Sequence, residues 1–304
     1  MGKRGKHHGK RTDSGFASQG AARGGRGRLA GKMRTEPAGR RRTTVPRGVS
    51  PNRRHGFAGG TRPYDYSAYE SEPATPEYLA RLFVRHSFPV TARQLERFWR
   101  YYELLRRKNA SLDLTRIMGI EATTLKHFID SAIILRWFEP EGPVLDIGSG
   151  PGFPGLPLAI MREDCQFILA ESREKRIGFL REAIAGLELR NVRLFPRTVR
   201  EDSPLGDEHG LPLGDVVTRA LEAITPTLGR ILPFIKPGRQ AVFLKGPDCD
   251  AEISDALSSF PGIFDLTGDA NYRLPGTDQK RRLPRFRKLP FPPTARKSRV
   301  SVDF

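Results

Sequence analysis

The sequence predicts an α/β fold with a doubly wound parallel sheet and a helical segment ahead of it. Three observations predict it. Short, β-prone apolar blocks alternate with amphipathic stretches five times between Val144 and Ser259. The first block, Val144–Ile147, runs straight into a glycine-rich turn, Gly148-Ser-Gly-Pro-Gly-Phe-Pro-Gly155. The next block, Phe167–Ala170, closes on an acid, Glu171. Consecutive parallel strands joined through a helix cross over right-handedly, so this is a Rossmann-like unit.

Composition sets the limits of that fold. The chain has 304 residues and a formal net charge of +18, but the charge is unevenly spread. Residues 1–63 hold 17 Lys/Arg against 2 acids, residues 280–304 hold 9 against 1, and residues 64–279 hold 26 against 31. A mildly acidic core therefore carries two cationic tails. Residues 1–63 have almost no large apolar side chains and cannot bury enough surface to offset the entropy of ordering. Arg23-Gly-Gly-Arg-Gly-Arg28 and Arg40-Arg41-Arg42 suit an RNA backbone; a solvated tail and an organelle transit segment are the other readings. The expected organisation is a basic extension over 1–75, a helical subdomain over 76–139, the α/β domain over 140–288 and a Pro-rich basic tail over 289–304. Cys165 and Cys249 stand alone, so neither a disulfide framework nor a zinc site is indicated. No uncharged apolar run reaches membrane-spanning length.

Taken in order, Tyr78, Leu79, Leu82 and Phe83 have helical spacing. Thr91 caps an amphipathic helix through Leu95, Phe98, Trp99, Tyr102 and Leu105, whose aromatics read as core. Asn109 to Thr115 is a loop. A helix from about Glu121 to Phe138 carries His127 and Asp130, three apart and so on one face. Leu156–Met161 is the helix after the glycine turn. It is followed by a helix carrying Phe179 and Leu180, a third strand at Asn191–Phe195, a fourth at Asp215–Thr218, a helix to Ile235 and a fifth strand at Gln240–Leu244. Near the end Leu283–Lys288 is a strand interrupted by Pro284, which an edge or a bulge would tolerate.

The glycine turn can hold a dinucleotide or S-adenosylmethionine. Gly150-x-Gly152-x-x-Gly155 matches the dinucleotide pattern. Asp146, at the strand end, can meet the cationic amine of a methionine, and Pro151 and Pro154 remove N–H groups that a pyrophosphate would use. Both favour the methyl donor, with Glu171 taking the ribose hydroxyls. Ligands of such sheets sit beyond the strands' carboxyl ends. Those ends carry Asp146 and Gly148, Glu171, then Arg197 with Thr198 and Val199, then Arg219, then Lys245. Two acids and the glycines suit a nucleoside, whereas three cations on one rim suit a phosphate-bearing partner.

Asn109–Thr115, His127-x-x-Asp130-Ser131, the Asp-x-Gly-Ser-Gly and Gly-Phe-Pro-Gly-Leu-Pro runs, Glu171-Ser172, Arg197, Arg219-Ala220 and Leu244-Lys245-Gly246 together resemble the bacterial small-subunit rRNA guanine-N7 methyltransferases, once called glucose-inhibited division protein B. The resemblance covers about residues 95–288. It implies a class I S-adenosylmethionine-dependent methyltransferase fold with an N-terminal helical subdomain, and a cytoplasmic monomer. It also implies N7 methylation of a guanine in the 530 stem-loop of 16S rRNA. Carried over by position, Gly148, Phe153, Thr198, Val199 and Arg219 fall at donor-site positions, alongside Asp146, Gly150 and Glu171. Arg197, Arg219 and Lys245 are assigned to rRNA phosphate or guanine O6, with His127 and Asp130 shaping the cleft. Asp113 departs from the family's Asn, and the loop after Arg197 lacks the family's acid. Guanine N7 has a lone pair and no proton to lose, so no general base is expected; holding donor and acceptor in line is the main task.

Overall fold

The computed structural model of the protein describes residues 73–205 and 213–290. Contacts divide the chain at Gly60, and every described residue belongs to the unit Thr61–Phe304. Of the basic extension expected over 1–75, residues 1–72 lie outside the described residues, as do residues 291–304 of the tail expected over 289–304.

Helix α1 spans Pro76–Arg85, with Thr75 as N-cap accepting the Tyr78 N–H and proline at its first position. Helix α2 spans Ala92–Leu112. Thr91 and Gln94 form a reciprocal capping box at its start. The helix runs past Asn109 to Leu112, so most of the expected loop is helical, and Asp113 ends it in the left-handed region. Phe98, Tyr101, Tyr102, Leu104 and Leu105 are buried on its inner face, each burial stabilising by about 2 kcal/mol.

The expected single helix around His127 is a composite. Ile120–Thr123 (α3) is α-helical, Thr124–Ile129 is a π turn, Asp130–Ala132 (α4) is α-helical again, and Ile133–Arg136 is a 3₁₀ turn. A π turn inserts a residue and rotates the side chains after it, and such turns cluster at functional sites.

The sheet contains β1 Val144–Ile147, β2 Phe167–Ala170, β3 Val192–Phe195, β4 Val216–Arg219, β5 Gln240–Leu244, β6 Phe264–Arg273 and β7 Lys280–Lys288. Its order is β3-β2-β1-β4-β5-β7-β6, parallel from β3 to β5, with β7 antiparallel to both neighbours. The chain reverses its direction of travel across the sheet at β1, between β2 and β4, which is where such sheets open a ligand crevice. Helices α5 Gly155–Met161, α6 Glu174–Gly186, α7 Ile224–Ile231 and α8 Asp250–Ser259 cover the faces.

Pro284 is not on an edge. Its strand lies between β5 and β6, but it falls in a gap of the β5–β7 ladder between Val242↔Arg285 and the Lys245↔Arg282 bridge. The β-bulge of β6 between Leu266 and Gly268 is close by, so the missing donor costs one bond where pairing is already interrupted. The last strand also takes over part of the expected cationic tail. Lys288 is buried, donating to the carbonyls of Leu232 and Ile235, and Arg282 is paired with Asp269 and Asp250.

One apolar cluster joins α1, α2 and the His127 segment to β1, β2 and α6. Within it a chain of rings leads toward the glycine turn: Phe83 to Phe98 at 5.1 Å, Phe98 to Phe128 at 4.9 Å, Tyr101 to Phe128 at 5.4 Å and Tyr101 to Phe153 at 5.3 Å. Aromatic pairs at these separations are favourable beyond their area burial. The Tyr101 hydroxyl donates to the Pro151 carbonyl at 2.6 Å, so the helical layer holds the turn by both packing and hydrogen bonding. Among the described residues no helix is long and apolar enough to cross a membrane.

Candidate active site

The site forms where β1 ends. Gly148 leaves the strand at φ +70°, a backbone state that L side chains rarely adopt, while its N–H and that of Ser149 both reach the Ala170 carbonyl. Gly155 is required for a different reason: a Cβ there would stand 2.2 Å from Leu169 Cδ2 and 2.6 Å from Asp146 Oδ2. The turn thus returns against β2 with no room for a methyl group. Gly155→Ala is expected to cost about 3 kcal/mol by overpacking and to weaken donor binding through displacement of Asp146. Urea unfolding and calorimetric titration with S-adenosylmethionine check the two effects.

Asp146 lies behind this turn, fully buried. Its Oδ2 accepts the Gly155 N–H at 2.9 Å, and its Oδ1 is buried without a hydrogen-bond partner. Burial pushes its carboxyl up to about 7, the Gly155 N–H opposing that rise. Glu171 is also buried, but well satisfied. It accepts N–H groups from Gly150 at 3.0 Å, Ser172 at 2.7 Å and Arg173 at 2.8 Å, with Arg176 at 3.5 Å. A carboxylate has about four acceptor positions, so Glu171 now binds the turn and the start of α6; taking ribose hydroxyls means sharing or exchanging some of these partners.

The rim read from the strand ends is two adjoining cavities. The first, about 290 Å³, is lined by Gly148, Glu171, Arg176, Arg197, Thr198 and Val199 among others. Arg197 is exposed, with its guanidinium 5.7 Å from the Phe195 ring; Val199 is buried. The second, about 430 Å³, is lined by Lys126, His127, Asp130, Arg219, Lys245 and Arg281 among others. Ala220, after β4, lines both. The three expected cations therefore do not converge: Arg197 belongs to the first cavity, Arg219 and Lys245 to the second. Lys245 is already engaged, its Nζ 2.7 Å from Glu252 Oε2 and 2.6 Å from the Glu222 carbonyl.

Arg219 and His127 form the buried junction between the cavities. Arg219 donates to the Lys126 carbonyl at 3.0 Å and the Ser131 hydroxyl at 3.4 Å, and lies 3.5 Å from Asp130 Oδ2. It also contacts His127 Nδ1 at 3.2 Å. A guanidinium only donates, so Nδ1 accepts, and the ring proton sits on Nε2. That nitrogen meets Thr115 Oγ1 at 2.8 Å. Burial, then the Arg219 charge, hold His127 well below its usual range, so it is a neutral imidazole. Phe153 stacks on the His127 ring at 4.3 Å and lies under the Arg219 guanidinium at 5.1 Å. The glycine turn is thereby coupled to the second cavity through one phenyl ring.

Two contributions escaped the sequence reading. Thr115 is held by Asn109, whose amide exchanges hydrogen bonds with the Thr115 N–H and carbonyl at 2.8 Å each. The recurrence of Asn109 and Thr115 in the resembling segment was the available signal. Arg281, from β7, donates through Nε to Asp130 Oδ1 at 3.1 Å; nothing in the local pattern around it distinguishes it from its basic neighbours.

Comparison with known proteins fits this geometry. The family described as rRNA small subunit methyltransferase G matches residues 94–261. A "Ribosomal RNA small subunit methyltransferase G 2" of Syntrophobacter fumaroxidans is 35% identical over 232 residues, covering 76% of this chain but 45% of its own length. One of the same name from Bdellovibrio bacteriovorus is 33% identical over 212 residues, covering 69% of this chain and 81% of its own. A Pelotomaculum thermopropionicum relative, "Ribosomal RNA small subunit methyltransferase G", is 35% identical over 207 residues, covering 66% and 84%. The match holds the glycine turn, Glu171 and the Arg219–His127 junction, and this chain belongs to the rRNA small subunit methyltransferase G family.

Proposed function

We propose that the protein methylates N7 of a guanine in the 530 stem-loop of 16S small-subunit rRNA, as a monomer in the cytoplasm, with S-adenosylmethionine as the donor. The observation that carries this reading is the pair of cavities meeting at Ala220: one bordered by the glycine turn and Glu171, the other by a surplus of cations. The first suits a nucleoside, and the orphaned Oδ1 of Asp146 is a buried acceptor of the kind a donor ammonium would satisfy. When bound, the donor supplies a methyl group on a sulfonium, electrophilic without further activation.

The protein's own residues position and select. Guanine N7 offers an in-plane lone pair and releases no proton, so the transfer requires no base. The junction agrees: His127 is neutral and its Nδ1 is occupied by Arg219, so its part is to hold the guanidinium rather than accept a proton. Arg219 is anchored by Asp130, Ser131 and the Lys126 carbonyl, and a rigid cation there suits the O6 edge of a base presenting N7. Arg197, exposed at the first cavity, and Lys245, at the second, are placed to meet the flanking RNA backbone. N7 lies on the deep groove edge of an A-form duplex, so the target base must be in a loop or turned out of its stack.

The test is direct. Purified protein given methyl-labelled donor and small-subunit particles is expected to place label in 16S rRNA, and cleavage mapping at N7-methylguanine to find it in the 530 stem-loop. Label in ribosomal protein, or at another base atom, would overturn the assignment.

A further inference from the structure

Strand β7 brings Arg281 to the second cavity, 151 residues from its partner Asp130. We propose that Arg281 is an RNA-phosphate anchor at the mouth of that cavity, held on Asp130 until RNA displaces it. The inference rests on the reading of this chain as an rRNA methyltransferase and adds a substrate contact to it.

The electrostatic inventory points to Arg281. Asp130, almost fully buried, faces two guanidiniums: Arg219 at 3.5 Å and Arg281 at 3.1 Å. Arg219 also lies in the field of the Asp146 carboxyl, whereas Arg281 is set against the shared Asp130, so Arg281 is the less compensated of the two. The two arginines differ in commitment. Arg219 is anchored by a carbonyl, a hydroxyl, an imidazole and a ring face, with its side chain 16% exposed. Arg281 is 25% exposed, and apart from Asp130 its bonds are to its sequence neighbours: the Lys280 carbonyl at 3.2 Å and Gln279 Oε1 at 3.5 Å. If Arg281 leaves for a phosphate, Asp130 keeps Arg219, so no buried charge is stranded. Lys245 is more committed than Arg281: its side chain is 14% exposed and its ammonium donates to both Glu252 at 2.7 Å and the Glu222 carbonyl at 2.6 Å. A planar fork on a partly exposed arm suits a phosphate well.

The experiment measures binding of a 16S rRNA fragment containing the 530 stem-loop to the full chain across a salt series, for wild type, Arg281→Ala and Arg281→Lys. For Arg281→Ala, log K against log salt is expected to be shallower by about 0.7–0.9, the loss of one phosphate contact. Binding at low salt should be about tenfold weaker, with S-adenosylmethionine affinity unchanged. Arg281→Lys should restore the slope and part of the affinity. A wild-type slope in Arg281→Ala, with rRNA still bound and methylated by wild type, would overturn the anchor alone. Equal loss of slope in both variants would overturn it as well, since a retained charge should count. Wild-type protein that neither binds nor methylates the rRNA would overturn the functional reading itself.

Discussion

Replacing Arg219 by alanine is expected to lower rRNA methylation on the order of 10²-fold while leaving the sheet folded. The guanidinium is the piece that fixes the junction: it touches the Lys126 carbonyl, Ser131, His127 and Asp130, and covers Phe153 of the glycine turn. Its removal costs about 3 kcal/mol, the low end for breaking a buried ion pair, because Asp130 keeps Arg281 as partner. The change has a signature that a general loss of stability lacks. In the wild type, burial and then Arg219 depress His127. The unfolded chain binds a proton there near pH 6.5 and the folded chain does not, so stability is lost as pH falls below that value. Without Arg219 one cause is gone, the folded value moves back toward the ordinary one, and the acid loss becomes smaller. The Asp146 carboxyl titrates with the opposite slope in this range and also feels Arg219. Urea unfolding between pH 5 and 8 is therefore compared in an Asp146→Asn background, where adding Arg219→Ala should give a flatter profile. An unaltered profile would mean the arginine does not set the state of the imidazole.

The parts of this site that were legible in the sequence depend on local backbone requirements. A turn with Gly148 at φ +70° and Gly155 against Leu169 must be written in glycine, so the pattern advertises the turn and the strand before it. Parallel strands place their carboxyl ends on one rim, so Glu171, Arg197, Arg219 and Lys245 could be set there by reading each strand's last residue. What lay beyond was the partner of each side chain. Lys245 and Glu252 meet because α8 folds back on β5, and a list of strand ends carries no such information. The antiparallel insertion of β7 between β5 and β6 was equally hidden. It carried the strand expected at Leu283–Lys288, lengthened back to Lys280, into the interior of the sheet and brought Arg281 to Asp130. The π turn at Thr124–Ile129 shares the residue types of an ordinary helix, so composition could place His127 and Asp130 on one face but not aim them.

Asp146→Asn is expected to make the protein more stable at pH 8 and to weaken donor binding. In the folded chain the Asp146 carboxyl is pushed up to about 7 from an ordinary value of 3.8, chiefly by burial. A raised carboxyl is a cost that is absent below the unfolded value, grows as pH rises toward the folded value, and is complete above it. The window is therefore about pH 4 to 7, and a shift of about three units corresponds to roughly 4 kcal/mol. Asparagine removes the charge while its carbonyl can still accept the Gly155 N–H, leaving its amide at the place of the unpartnered Oδ1. A stranded amide costs about 1–3 kcal/mol, less than the charge it replaces, so stabilisation of about 1–3 kcal/mol at pH 8 should survive and give way to a net loss of about 1–3 kcal/mol near pH 4. Donor binding should move the other way: a charge-assisted hydrogen bond contributes about 1.5–3 kcal/mol, so its loss weakens S-adenosylmethionine roughly 10- to 100-fold. Wild-type donor affinity should itself fall as pH drops through about 7, while the Asn variant stays flat. A variant that gains stability yet binds the donor as tightly as wild type would separate Asp146 from the donor's amine. The buried carboxylate would then be only the price of closing the glycine turn.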